Sequence, residues 1–171
     1  MAITLDGSNV NTVGLIKSKT AVASTSGTNI DFTGIPSGVK RITVMFNGVS
    51  LSSASPYGIV QIGAGSVTTS GYINTLTTLV ASSSVSTIAF TTGFAFLNFA
   101  NAADTTNGTL VLTTLGSNVW VASGTFGQAN NLRGILTGGN ITLGGTLDRV
   151  RITTSDGTTT FDAGSINILY E

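Results

Sequence analysis

The chain has 171 residues, 41% of them hydrophobic and only 8% charged, with seven Lys and Arg balancing seven Asp and Glu. That length suits one domain with a sizeable core. A net charge of zero argues against nucleic acid, which needs a basic surface, and against electrostatic attachment to an anionic membrane. Mean hydropathy is high, at +0.39. Even so, the most apolar stretch, "FAFLNFANAA" at 94–103, falls short of the roughly 18 residues of a membrane helix. An outer-membrane barrel would need aromatic girdles on many strands, and aromatics make up only 7% of the chain.

In chain order, the opening "MAITLDGSNVNTVGLIKSKT" lacks the basic start, apolar segment and cleavage site of a signal peptide. Residues 1–17 are expected to be an edge strand or, by preference, an extended arm that adds to a sheet edge of a neighbouring protein. Residues 18–171 are expected to form the β-domain. "TAVAS" at 20–24 and "NIDF" at 29–32 read as strands flanking a turn. "RITVMFNGV" at 41–49 alternates, with Ile42, Val44 and Phe46 on one face and Thr43, Met45 and Asn47 on the other. "YGIVQIG" at 57–63, "TIAF" after a Ser-rich piece at 81–87, "FAFLNFA", "GTLVLTTL", "NVWVASGTF", "GILTGGNITLG", "LDRVRITTS" and "SINILYE" follow. "QANNLR" at 128–133 admits one short helical turn. About ten short strands at roughly ten-residue spacing predict an all-β antiparallel sandwich, jelly-roll-like in topology. The last two strands read as a closing hairpin, with Asp156-Gly157 in its turn. "FAFLNF" and "TLVLTTL" are apolar on both faces, which predicts burial against a further copy of the chain, around a symmetry axis.

The chain has no His and no Cys. This removes imidazole and thiolate as base, nucleophile and metal ligand, as well as any disulfide. No catalytic residue, metal site or cofactor is expected. Asp148 and Asp162, on neighbouring strands of the expected hairpin, are the nearest approach to a paired-carboxylate site. Salt bridging to Arg149 or Arg151 is the commoner fate of such acids. The Gly clusters at 63–71 and 139–145 lack the Lys and the helix of a phosphate loop. Three aromatics are candidate binding residues for a surface glycan or a partner: Tyr57 after the loop 50–56, Tyr72 in "TSGYIN", and Trp120, the single Trp. A core or interface position is the preferred reading for Trp120, and packing against a loop is weighed likewise for Tyr57 and Tyr72. Arg149, Arg151 and Glu171 are candidate subunit contacts, or else a solvated polar face.

Two stretches, "TSGTNIDFTGIPSGVKRITVMFNGVS" at 25–50 and "LDRVRITTSDGTTTFDAGSINILYE" at 147–171, resemble a β-domain of tailed-bacteriophage virion proteins. "QIGAGSVTTSGY" at 61–72 and the opening "AITLDGSN" are similar in the same way. The resemblance implies a non-enzymatic virion protein on the particle exterior. One form is a tail-fibre-like trimer that touches host surface polysaccharide. The alternative is a capsid decoration protein that cements the phage head. The implied partners are further copies of the chain, other virion proteins reached through residues 1–17, and host glycans. The chain has no shaft, coiled coil or collagen-like repeat of a full tail fibre.

Overall fold

The computed structural model describes residues 16–54, 56–81, 85–98 and 101–171. Strands dominate: β1 (Lys17–Ser18), β2 (Val22–Ala23), β3 (Asn29–Thr33), β4 (Arg41–Leu51), β5 (Tyr57–Ala64), β6 (Ser66–Val67) and β7 (Ile73–Val80). These are followed by β8 (Val85–Phe90), β9 (Phe94–Asn98), β10 (Thr106–Gly116), β11 (Val119–Gln128), β12 (Arg133–Thr142), β13 (Arg149–Thr154) and β14 (Phe161–Tyr170). A 3-10 turn at Ala129–Asn131 falls inside the stretch where the sequence admits one.

The strands make two antiparallel sheets. The nine-stranded sheet runs β1-β14-β4-β10-β11-β12-β7-β8, with β2 also on β14. The five-stranded sheet runs β3-β13-β5-β6, with β9 also on β5. This is the all-β sandwich the strand spacing predicts, and nothing in the order singles out a jelly roll. The expected arm over 1–17 lies outside the described residues except at its end, where Lys17 already pairs with Tyr170 in β1.

Period-two alternation builds the core between the sheets. Ile42, Val44 and Phe46 of β4, Leu110 and Leu112 of β10, and Ile166 and Ile168 of β14 are buried from one layer. Phe32 of β3, Val60 and Ile62 of β5, and Val150 and Ile152 of β13 are buried from the other. Phe46, Phe96 and Phe126 meet between the layers, with ring centroids 4.3 Å apart for Phe46–Phe96 and 5.5 Å apart for Phe46–Phe126.

The structure departs from the expected arrangement at three points. The closing hairpin does not exist: β13 belongs to the smaller sheet, between β3 and β5, while β14 belongs to the larger, beside β4. The Asp156-Gly157 segment therefore crosses from one layer to the other. Two alternating strands that face one core read alike whether they pair or oppose each other, so the pattern alone does not distinguish the cases. The same correction applies to β2 and β3, which also sit in different sheets.

The third concerns "FAFLNF". Phe94, Ala95, Phe96 and Leu97 are all fully buried inside the chain, with no second copy. The register of β9 on β5 steps from Leu97 to Ala95 while β5 steps only from Gly58 to Ile59. That one-residue bulge lets Phe96 and Leu97 turn toward the same side. Gly58 leaves the room: a Cβ there would lie 2.6 Å from Phe96 Cζ and 2.9 Å from Leu97 Cβ.

Candidate functional site

Among the described residues the carboxylates offer no shared site. Asp31 receives Nε and Nη2 of Arg151 at 2.7 and 2.8 Å, a two-pronged pair across β3 and β13. Asp148 accepts from Arg149 Nε at 2.7 Å and from the Gly65 N–H at 3.2 Å. The Arg149 hydrogen bond, above all, holds the Asp148 carboxyl below its usual range. Glu171 pairs with Arg41, Asp162 accepts from Ser50 Oγ, and Asp104 accepts from Asn131 Nδ2. Asp148 and Asp162, expected on adjacent strands, stand in different layers with separate partners. Among the described residues no group of three His, Cys, Asp or Glu could hold a metal ion.

Arg149, Arg151 and Glu171, the candidate subunit contacts, thus each have an ion-pair partner within the chain. They lie on the outside of β13 and at the end of β14.

The three candidate aromatics part company. Trp120 is only 4% exposed; its strand partners are Thr114 and Ile141, and it fills the core from β11. Tyr72 is 1% exposed. Its hydroxyl accepts the Ile62 N–H at 2.8 Å and lies 3.0 Å from the Thr68 carbonyl, which it can donate to. Burial pushes this phenol well above the ordinary tyrosine range. Neither is a surface binding aromatic: Trp120 takes the core position preferred for it, and Tyr72 is an internal strut. In Tyr72 the reason is the loop itself: residues 64–71 fold back so that the hydroxyl satisfies the main chain of β5.

Tyr57 alone stays at the surface, half-buried. Its ring meets Phe90 edge-on at 4.8 Å. Its N–H donates to Ser155 Oγ and its carbonyl accepts the Ser155 N–H at 2.8 Å, so the backbone beneath the ring is clamped. The adjoining loop is held by Asp156. One carboxylate oxygen accepts from Thr154 Oγ1 and from the Thr158 and Thr159 N–H groups, and the other accepts from Thr159 Oγ1 at 2.7 Å. Burial works to raise the Asp156 pKa, but these hydrogen bonds outweigh it and hold the carboxyl far below its usual range. A rigid rim therefore carries a pair of aromatic rings, Tyr57 and Phe90, beside a Ser- and Thr-rich loop. Phe90 was not singled out in the sequence, because its pairing with Tyr57 depends on β8 and β5 meeting at one end of the sandwich.

The outer face of the larger sheet is the other notable surface. From β10 to β8 its cross-strand rows run Thr113–Val121–Asn140–Ile73, Val111–Ser123–Gly138–Thr75–Ala89 and Thr109–Thr125–Leu136–Thr77–Thr87. No residue in these rows is ionisable, and Ile73, Val121 and Leu136 are exposed among the hydroxyls. A shallow cleft of about 40 Å³ lies at the far end of the sheet, lined by Ile16, Arg41, Thr43, Leu169, Tyr170 and Glu171. That is room for little more than a water molecule.

No family model, no curated protein and no solved structure matches this chain.

Proposed function

We propose that the protein is a non-enzymatic structural protein of a tailed-phage virion, displayed on the outside of the particle. In this reading it is a tail-fibre-like protein, trimeric, that touches host surface glycans. The observation that carries the glycan contact is the clamped Tyr57–Phe90 pair at the rim. Sugar rings present apolar faces that suit such aromatic platforms, and the neighbouring Ser155, Thr158 and Thr159 supply hydroxyls. A single contact of this size is weak, and many copies on one particle multiply it. Tyr57→Ala is expected to abolish adsorption to purified host polysaccharide in a variant that circular dichroism shows to be folded. Unaltered adsorption would remove the rim from the account.

The uncharged outer face of the larger sheet favours a second reading, a decoration protein that cements the phage head. Exposed Ile73, Val121 and Leu136 suit contact with another protein more than contact with a sugar. In that case residues 1–17 reach a neighbouring virion protein. Labelling the protein on intact particles separates the two: signal on the tail supports the adhesin, signal on the head supports the cement. Loss of heat resistance in particles that lack the protein would add to the second.

A further inference from the structure

β8 finishes the larger sheet at its open end. It pairs with β7 from Asn74↔Phe90 to Leu79↔Val85, and no described strand lies on its other side. Every residue from Val85 to Ala89 is exposed. The cause is an overhang. The smaller sheet stops at β9, which packs on β7, β11 and β12, so the larger sheet continues beyond its cover. Ile88, which stands beside the buried Leu76, is consequently 40% exposed on the core side. On the outer side Val85 is 68% exposed, next to Leu79 at 41%.

Such an edge presents unpaired main-chain donors and acceptors and invites another strand. Its occupant must be extended, apolar on both faces and free of charge, since a charge would be desolvated beside Val85 or Ile88. We propose that the occupant is β8 of a second copy of this chain, added antiparallel about a two-fold axis through Ile88. That register opposes Ile88 to the partner's Ile88, Ser86 to the partner's Phe90 and Thr87 to the partner's Ala89. Opposed residues point to the same side, so core-side residues meet core-side residues and the two sheets continue as one. No like charges meet, because "VSTIAF" contains none. The other edges fit less well. β1 carries Lys17, β3 carries Asp31 and β6 has two residues.

A six-residue edge buries much less than the roughly 1,200–2,000 Å² of a stable interface, so the pair is weak and forms where copies are concentrated. It joins copies in twos and leaves any three-fold axis to a different surface. The proposal is independent of where the protein works.

The absence of Cys allows a clean test. Directly opposed residues of an antiparallel pair have Cα atoms about 4.5–5.5 Å apart, within disulfide range. Ile88→Cys is therefore expected to cross-link to a dimer under mild oxidation, whereas Leu115→Cys, at a site 74% exposed elsewhere on the sheet, is not. In sedimentation experiments the wild type is expected to form dimer as concentration rises. Ile88→Lys and Ile88→Glu should each weaken the dimer at least tenfold, and a one-to-one mixture of the two should restore it. Circular dichroism would verify that both variants fold. A wild type that stays monomeric at every concentration would overturn the proposal, as would equal cross-linking at both positions. So would a failure of the mixture to recover, which would point to another occupant such as the N-terminal segment of a neighbouring copy.

Discussion

At one end of the larger sheet β1 and β2 lie along β14, in short pairings flanked by Lys17 and Lys19. Lys19 donates to the Gly34 carbonyl and stands over the Tyr170 ring. At the other end β8 runs six residues with neither charge nor proline, past the limit of the layer that would cover it. One edge of the smaller sheet is finished differently again, without charge. At its β9 edge, Asn74 of β7 accepts the Ala95 N–H at 2.9 Å and donates to Thr137 Oγ1 and the Gly138 carbonyl, both at 2.9 Å. A side-chain amide from the opposite layer thus takes the place of a further strand. Edges can be closed by charge, by a buried amide or by another chain, and among the described edge strands longer than two residues β8 alone shows neither of the first two.

The largest effect is expected where the β9 edge is closed sterically. Gly58→Val should destabilise the fold by about 3 kcal/mol through overpacking against Phe96 and Leu97, read as a lower denaturant midpoint. If Gly58→Val were tolerated, β9 would not be wedged as described. Next comes the amide bracket: Asn74→Ala leaves the Ala95 N–H and the Thr137 hydroxyl short of a partner and should cost about 2 kcal/mol.

A smaller effect belongs to the loop that crosses between the layers. The Asp156 carboxyl is held below its unfolded value, so its contribution is fully present above the ordinary carboxylate range near pH 4. It is lost as the pH falls through its folded value. Asp156→Asn should lower stability at pH 7 by about 1 kcal/mol, and the wild-type advantage should shrink on acidification. An advantage that persists unchanged into strong acid would mean that the charge on Asp156 is irrelevant.

How much of this was legible in the sequence depends on the range of the interaction. Alternation put Ile42, Val44 and Phe46 together on one face of their strand, and that face is the buried one, since alternation is a local property of each strand. It could not say which layer a strand joins, so β13 and β14 passed for a hairpin around Asp156-Gly157. Nor could it anticipate the bulge at Phe96, which depends on Gly58, far away in the chain. Tyr72 sits among Gly, Ser and Thr and so looked like a loop aromatic. Its hydroxyl partner, the main chain of Ile62, became visible only when residues 64–71 were seen to fold back. Of the rim, Tyr57 was found and Phe90 was not, because their contact is tertiary.

The contrast between a closed β9 and an open β8 is tested most directly by amide hydrogen exchange at two protein concentrations. The amides of Phe94–Leu97 are expected to exchange slowly and equally at both. Alternate amides of β8, the ones facing away from β7, should exchange fast at high dilution and become protected as concentration rises. Protection of those β8 amides that is already complete at dilution, or that never changes with concentration, would contradict it.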